Sequence, residues 1–268
     1  IVVSHDGQTL AGGPLCMQAE LRFLPPYSSR HLVDGIIDGY NIGNYLDPTD
    51  PVEMSKFDVE SDWFKKYPER YMVPDFFYKV TRENRDMLIA PHQVLGTHAI
   101  DFPWKSLGMP QYIALDINLV HKLEDLIDLM HNDGFAITRF VPVYGFRPPS
   151  FNLGTISSHA GTNLKVPFSM HQYGHAIDLI IDEDGDHILD DINGDGISDI
   201  YDAAVIMHYV NILDRQYREE GRMAMVGGAG LYTHNDFVER EQFLGLQTPY
   251  IHIDTRGFLT DRGTLVRW

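Results

Sequence analysis

The sequence predicts an α+β fold, and three observations carry that expectation. Apolar residues recur at helical spacing over 117–132 and again over about 202–219. Short alternating or β-branched runs stand between Gly, Pro and Asp turn signals elsewhere. Helices and strands do not alternate strictly, which argues against a doubly wound parallel sheet. The 268 residues are 44% hydrophobic, enough for one large domain or two modest ones.

Residues 1–88 read as an N-terminal β-rich module of unknown role. It holds short stretches such as Leu21-Arg-Phe-Leu24 and Tyr71-Met-Val-Pro74, and Asp34 to Gly43 reads as short strands broken by turns. The alternative is an irregular extension wrapped on the second domain. The boundary is expected within Asn84 to His92, leaving 89–268 as that second domain.

The clearest helix covers 117–132. Leu119, Val120, Leu123, Leu126, Ile127 and Met130 form its apolar stripe, with Lys122, Glu124 and Asp125 assigned to the other face. Asp116 or Asn118 suits its cap, and Gly134 stands where a closing glycine belongs. Phe135 to Val143 reads as a strand running into a Pro/Gly loop that places Arg147 at the strand end. A second helix is expected from Asp202 to Glu219, with Val205, Ile206, Tyr209, Ile212 and Leu213 buried. Further strands are expected near Leu231-Tyr232 and over Tyr250 to Asp254.

The chemistry concentrates in Ser169-Met-His-Gln-Tyr-Gly-His-Ala-Ile-Asp178, answered by Tyr250-Ile-His-Ile-Asp254. Two imidazoles, His171 and His252, and one carboxylate, Asp178, are a donor set that leaves a fourth tetrahedral zinc position open. A continuous helix would separate His171 from Asp178 by about 10 Å, too far for one ion. The chain must therefore break, and Gly174 offers the place, with Ala176 to Ile181 as a strand carrying Asp178. Asp254 shares a strand face with His252. It is expected either to orient an imidazole or to act as a base.

The full string S-x-H-x-x-G-x-A-x-D resembles the zinc D-alanyl-D-alanine peptidase family of the lysostaphin, D-Ala-D-Ala peptidase and hedgehog superfamily. The resemblance covers about 88–268. It takes in Leu119-Val-His-Lys-Leu123, Tyr144-Gly-Phe-Arg-Pro-Pro-Ser-Phe-Asn152, Gly227-Gly-Ala-Gly-Leu-Tyr232, Ile251-His-Ile-Asp-Thr-Arg-Gly257 and Val266-Arg-Trp268. Its ending is most similar to the murein endopeptidase branch. The resemblance implies a small antiparallel sheet with flanking helices, zinc held by His171, Asp178 and His252, and Arg147 gripping a substrate carbonyl or carboxylate. It implies a zinc peptidase acting on peptidoglycan stem peptides or cross-links. Some relatives carry an acid three residues before the third ligand, or a His two before it. Here those positions are Pro249 and Tyr250, so Asp254 is the first candidate for the base, followed by His234, Glu239 and Glu241. The alternative is an inactive zinc- and calcium-dependent binding module.

An acidic insertion at about 182–202 separates the second and third ligands, with nine Asp or Glu and no Lys or Arg. Asp191, Asn193, Asp195, Asp199 and Asp202 occupy positions 1, 3, 5, 9 and 12 of an EF-type calcium loop. Ile197 offers its carbonyl, and Gly196 makes the turn. Asp at position 12, followed by a helix, resembles dockerin modules. Because only one loop is followed by a helix, scaffold docking is not expected. Asp182, Asp184, Asp186 and Asp190 repeat the pattern and make a possible second calcium site. Both sites suit an extracytoplasmic protein, periplasmic or secreted.

The formal net charge of −17 argues against nucleic acid or anionic membrane as the main partner. Cys16 is the only cysteine, which excludes an internal disulfide and a thiolate zinc site. No apolar stretch has membrane-span length. No charged and apolar leader opens the chain at Ile1, so any export signal is expected to be absent or already removed.

Overall fold

A computed structural model describes residues 26–54, 63–80, 111–137, 140–150, 152, 168–186, 188–233 and 248–268. Within them the chain is a mixture of small, largely antiparallel sheets and few helices. In order come strands β1 (Pro26–Ser28), β2 (Ile36–Ile37) and β3 (Tyr40–Asn41), short helices α1 (Pro51–Met54) and α2 (Trp63–Lys66), and strands β4 (Phe76–Val80) and β5 (Gln111–Ile113). Helix α3 (Ile117–Asn132), strands β6 (Phe140–Tyr144) and β7 (Ala176–Ile181), and helix α4 (Ile200–Glu219) come next. Strands β8 (Gly228–Tyr232), β9 (Tyr250–Asp254) and β10 (Val266–Arg267) complete the order.

The main sheet runs β10-β8-β9-β7-β6. Every pair is antiparallel except β10 with β8, which is parallel. Register assigns its two faces. Asp178 lies opposite His252 and Ala176 opposite Asp254, while Gly230 also pairs with His252. Those side chains share one face, because paired residues point the same way and neighbours alternate. The other face offers Ile177, Leu179, Ile181, Ala229, Ile251 and Ile253. They join one core with Leu119, Leu123 and Leu126 of α3 and Ile206, Val210 and Leu213 of α4. The sheet thus has a helix-covered apolar face and a polar face that carries the site.

Helix α3 begins at Asp116, whose side chain accepts the Asn118 N–H at 3.1 Å, and Gly134 stands just past its end at φ 94°. Helix α4 starts two residues before the expected Asp202, because Asp199 caps it and Asp202 reaches back to complete a capping box. Its buried face is Ala203, Ile206, Tyr209, Val210, Leu213 and Tyr217. Val205 and Ile212 stay partly exposed.

Three expectations change. Tyr71 to Pro74 holds no strand; the strand lies just beyond, at β4. The strand expected from Phe135 is assigned only over Phe140–Tyr144. Lys122 is fully buried rather than on the polar face.

The boundary expected within 84–92 lies outside the described residues, as does Leu21 to Leu24. Strands β1 and β4 precede that boundary, yet they form one sheet with β5 beyond it. Ile37, Ile42 and Phe77 also share the main core. The described residues of 26–80 therefore share a sheet and a core with residues beyond the expected boundary.

Candidate metal centre

His171 sits in a tight 3-10 turn, Met170–Tyr173, closed by Gly174 at φ 73°. A side chain at Gly174 would collide with the backbone of Ala114 and Leu115, so the glycine serves both its conformation and its close packing. The chain then enters β7, which carries Asp178 two residues after Ala176. Strand β9 brings His252 opposite Asp178. The ligand atoms of His171, Asp178 and His252 all lie within 4.8 Å of one another, and all three residues are buried.

Hydrogen bonding sets which nitrogens face inward. His171 Nδ1 is 2.8 Å from the Gly145 carbonyl, which only accepts, so Nδ1 must carry the proton. That leaves Nε2 free to ligate, 3.4 Å from Asp178 Oδ1. His252 Nε2 is 3.1 Å from Asp254 Oδ2, which turns Nδ1 towards Asp178 Oδ1 at 2.7 Å. Ligand atoms on a tetrahedral zinc stand roughly 3.4 Å apart at ordinary bond lengths. The donor set fits zinc in type and number; the His171–Asp178 pair stands at that spacing, and the 2.7 Å His252–Asp178 pair would have to widen.

The electrostatics favour an ionised Asp178 and a neutral His171, but a protonated His252 that would have to release a proton on binding a metal. Burial alone would raise the Asp178 pKa, but both imidazoles hold it well below the usual carboxylate range. Burial lowers the pKa of His171 and so favours its neutral, ligating form. His252 is raised despite its burial, because it lies between Asp178 and Asp254.

Asp254 does not fit the base role expected of it. It is 0% exposed. Its Oδ1 accepts the Gly228 N–H at 2.6 Å and the Arg256 N–H at 3.1 Å, and the Arg256 guanidinium grips both carboxylate oxygens. Burial works against the charge, yet Arg256 and His252 keep the carboxylate ionised. With its oxygens taken and no path to solvent, Asp254 is built to fix the His252 ring. Arg256 in turn packs against three aromatic rings, those of Trp63, Phe258 and Trp268, at 5.5, 5.8 and 5.4 Å.

Arg147 is buried beside the centre. Its backbone N–H donates to the His171 carbonyl at 3.1 Å, and Nη1 makes a long 3.5 Å contact with Ser169 Oγ. Its charge is felt at His171, Tyr232 and Tyr250. The other base candidates, His234, Glu239 and Glu241, lie outside the described residues.

Behind the sheet, Lys122 of α3 donates to Asp214 of α4 at 2.6 Å and to the Asp254 carbonyl at 3.1 Å. Arg267 of β10 bonds the other Asp214 oxygen at 2.5 Å. Lys122 and Asp214 are fully buried. This network was missed at the level of sequence, although a signal existed. Lys122 is three residues after Leu119 and four before Leu126, which puts it on the apolar stripe. Arg256 was also missed; its signal was spacing two beyond Asp254 on an extended segment.

In the insertion, Asp182, Asp184 and Asp190 bring ligand atoms within 4.8 Å of one another. Asp186 does not join them; it accepts the Ile188 N–H instead. Asp190 is raised by burial and by its acidic neighbours, a repulsion that a hard cation would relieve. The second loop is knitted by its own amides. Asp191 accepts from Gly194, Asp195 and Gly196, Asn193 from Asp195, and Asp195 from Ile197. Asp199 accepts from Tyr201, and Asp202 from Ile192, Asn193 and Asp199. Among the described residues, its carboxylates form no group of three within the same reach.

No family model, curated protein or solved structure matches this chain. No helix among the described residues is long and apolar enough to cross a membrane.

Proposed function

We propose that this protein is a zinc-dependent peptidase that hydrolyses peptide bonds of peptidoglycan, in stem peptides or cross-links. One observation carries the metal reading. His171, Asp178 and His252 converge, and each imidazole has an acceptor at its outer nitrogen, the Gly145 carbonyl and the Asp254 carboxylate, with the other nitrogen directed at Asp178. The substrate class rests on the sequence resemblance to the D-alanyl-D-alanine peptidases, as does the finer reading of the fold as hedgehog- and peptidase-like.

A zinc ion held by His171, Asp178 and His252 would supply Lewis acidity for hydrolysis of a peptide bond. The chain's own residues do the rest. His171, Asp178 and His252 hold the ion on two strands and a tight turn. Asp254, clamped by Arg256, keeps the His252 ring in place. Arg147 supplies fixed positive charge where an oxyanion develops. The proton acceptor belongs to another group, since Asp254 is sequestered.

Calcium in the acidic insertion is part of the same proposal. The converging Asp182, Asp184 and Asp190 are the better supported ligands, and the loop from Asp191 to Asp202 a second site. A cation there would brace the connection between β7 and α4. An extracytoplasmic location follows from this chemistry, where calcium is abundant.

The test is incubation with muropeptides, with and without a chelator and re-added zinc, beside His171→Ala. New amine termini that need both zinc and His171 support the peptidase. Stoichiometric zinc with no cleavage moves the reading to an inactive zinc- and calcium-dependent binding module. Calcium is tested by thermal unfolding, with a rise in Tm on calcium addition that Asp184→Asn diminishes.

A further inference from the structure

We propose that the indole of Trp268 is a binding platform for a neutral, C–H-rich group of the substrate, next to the bond being cut. The inference rests on the metal-peptidase reading of the triad.

Trp268 lies on the polar face of the sheet. Its ring centroid is 5.1 Å from that of His252, with the planes at 45°. The ring is fixed from several sides. The Trp268 N–H donates to the Ala229 carbonyl at 3.2 Å, and its carbonyl accepts the Leu231 N–H at 3.0 Å, so the backbone is tied to both sides of Gly230. A Cβ at Gly230 would occupy the space of the indole, so only glycine lets the ring lie there. The Arg256 guanidinium packs against the indole at 5.4 Å.

Packing alone does not account for this placement. A tryptophan serving only the core would be buried, but Trp268 is 47% exposed. An isolated exposed apolar residue on a mobile surface needs no explanation. One held by its backbone, by a glycine and by a cation, against a candidate metal ligand, is preorganised.

The ligand chemistry is set by the part of the ring left to offer. The indole Nε1–H donates to Tyr232 Oη at 2.7 Å, which uses its one polar handle within the protein. The part of the π-surface not covered by Arg256 remains within the exposed 47% of the residue, and it attracts the slightly positive edge of C–H groups. A second cation would be repelled by Arg256. Two parts of a peptidoglycan fragment present such a face, a pyranose ring and an alkyl side chain of the stem peptide.

The experiment measures binding to the zinc-loaded full chain by calorimetry. The probes are an uncross-linked stem tetrapeptide and the same peptide joined to its disaccharide, each shown by mass spectrometry to be uncleaved after the titration. Trp268→Ala should weaken binding about tenfold, equivalent to about 1.4 kcal/mol, and Trp268→Phe by about threefold or less. Probes are titrated at saturating zinc, with zinc occupancy checked for each variant, so that lost probe affinity is read apart from any effect on His252 or Arg256. Loss confined to the disaccharide probe identifies the sugar ring, and equal loss on both probes identifies the alkyl group. Wild-type affinity in Trp268→Ala for both probes overturns the platform alone. A wild-type chain that takes up zinc but binds neither probe overturns the peptidoglycan reading and the platform with it. A wild-type chain that takes up no zinc overturns the metal centre itself.

Discussion

Arg256 shows how a residue away from the candidate ligands fixes their surroundings. It holds Asp254 with two guanidinium nitrogens and lies among Trp63, Phe258 and Trp268. Lysine keeps the charge but loses the planar fork and the stacking. Arg256→Lys should therefore weaken zinc about 10–100-fold, the usual cost of disturbing a ligand's orienting partner. Competition with a chromophoric chelator measures it; unchanged affinity means that His252 is oriented without Asp254. Asp116 is a second case, on the helix-covered side. It caps α3 and accepts from His175 Nδ1 and Thr255 Oγ1, both at 2.8 Å. Burial opposes its charge, but these partners lower its pKa below the usual 3.8. A depressed carboxylate stabilises the fold above its unfolded pKa and loses that contribution as pH falls through its folded pKa. Asp116→Ala should cost about 1–2 kcal/mol at neutral pH. The gap to wild type should close below about pH 3.8, as read from urea unfolding at a series of pH values.

At the scale of elements, much was legible because its causes are local. Helix α3 runs over the span its periodicity marks, and β9 matches the alternation of Tyr250 to Asp254. The break at Gly174 follows from distance, since no straight helix brings His171 and Asp178 to one ion. Position β4 was misread because Tyr71 to Pro74 and Phe76 to Val80 are similarly apolar, and pairing with β1 and β5 decides between them. The connection between β8 and β9 contains His234, Glu239 and Glu241, the remaining base candidates. Replacing each in turn, His234→Ala, Glu239→Gln and Glu241→Gln, should lower kcat about 10²–10⁴-fold in one variant. Zinc content should be unchanged in all three. Three active variants would place the proton acceptor elsewhere.

Across the whole molecule, the Lys122–Asp214–Arg267 network ties α3, α4 and β10 to the Asp254 carbonyl of β9. It connects the helix-covered face to the strand that carries His252. Lys122→Met leaves a buried carboxylate with one partner fewer and should cost about 3–5 kcal/mol. Chemical denaturation measures this, and a change below about 1 kcal/mol would show that Arg267 and the Gly227 N–H satisfy Asp214 without the lysine. The same scale holds contacts that a reading of residues 1–88 as a module did not include. Ile37, Ile42 and Phe77 complete a core whose other half lies far along the chain, in α3, α4 and the main sheet. Trp63 reaches Arg256 and Phe258 in the same way.

By itself the sequence determined the α+β character, the two long helices, the turn at Gly174 and the three residues, His171, Asp178 and His252, that the fold brings together. These depend on spacing within a few residues and on the coordination chemistry of imidazole and carboxylate. Tertiary structure alone decided that Asp254 is an orienting group, that Lys122 is buried, and that Trp268 stands beside His252. Each of those comes from strand pairing and packing between distant segments. Such contacts fix exposure and hydrogen-bond partners, and no local pattern encodes them.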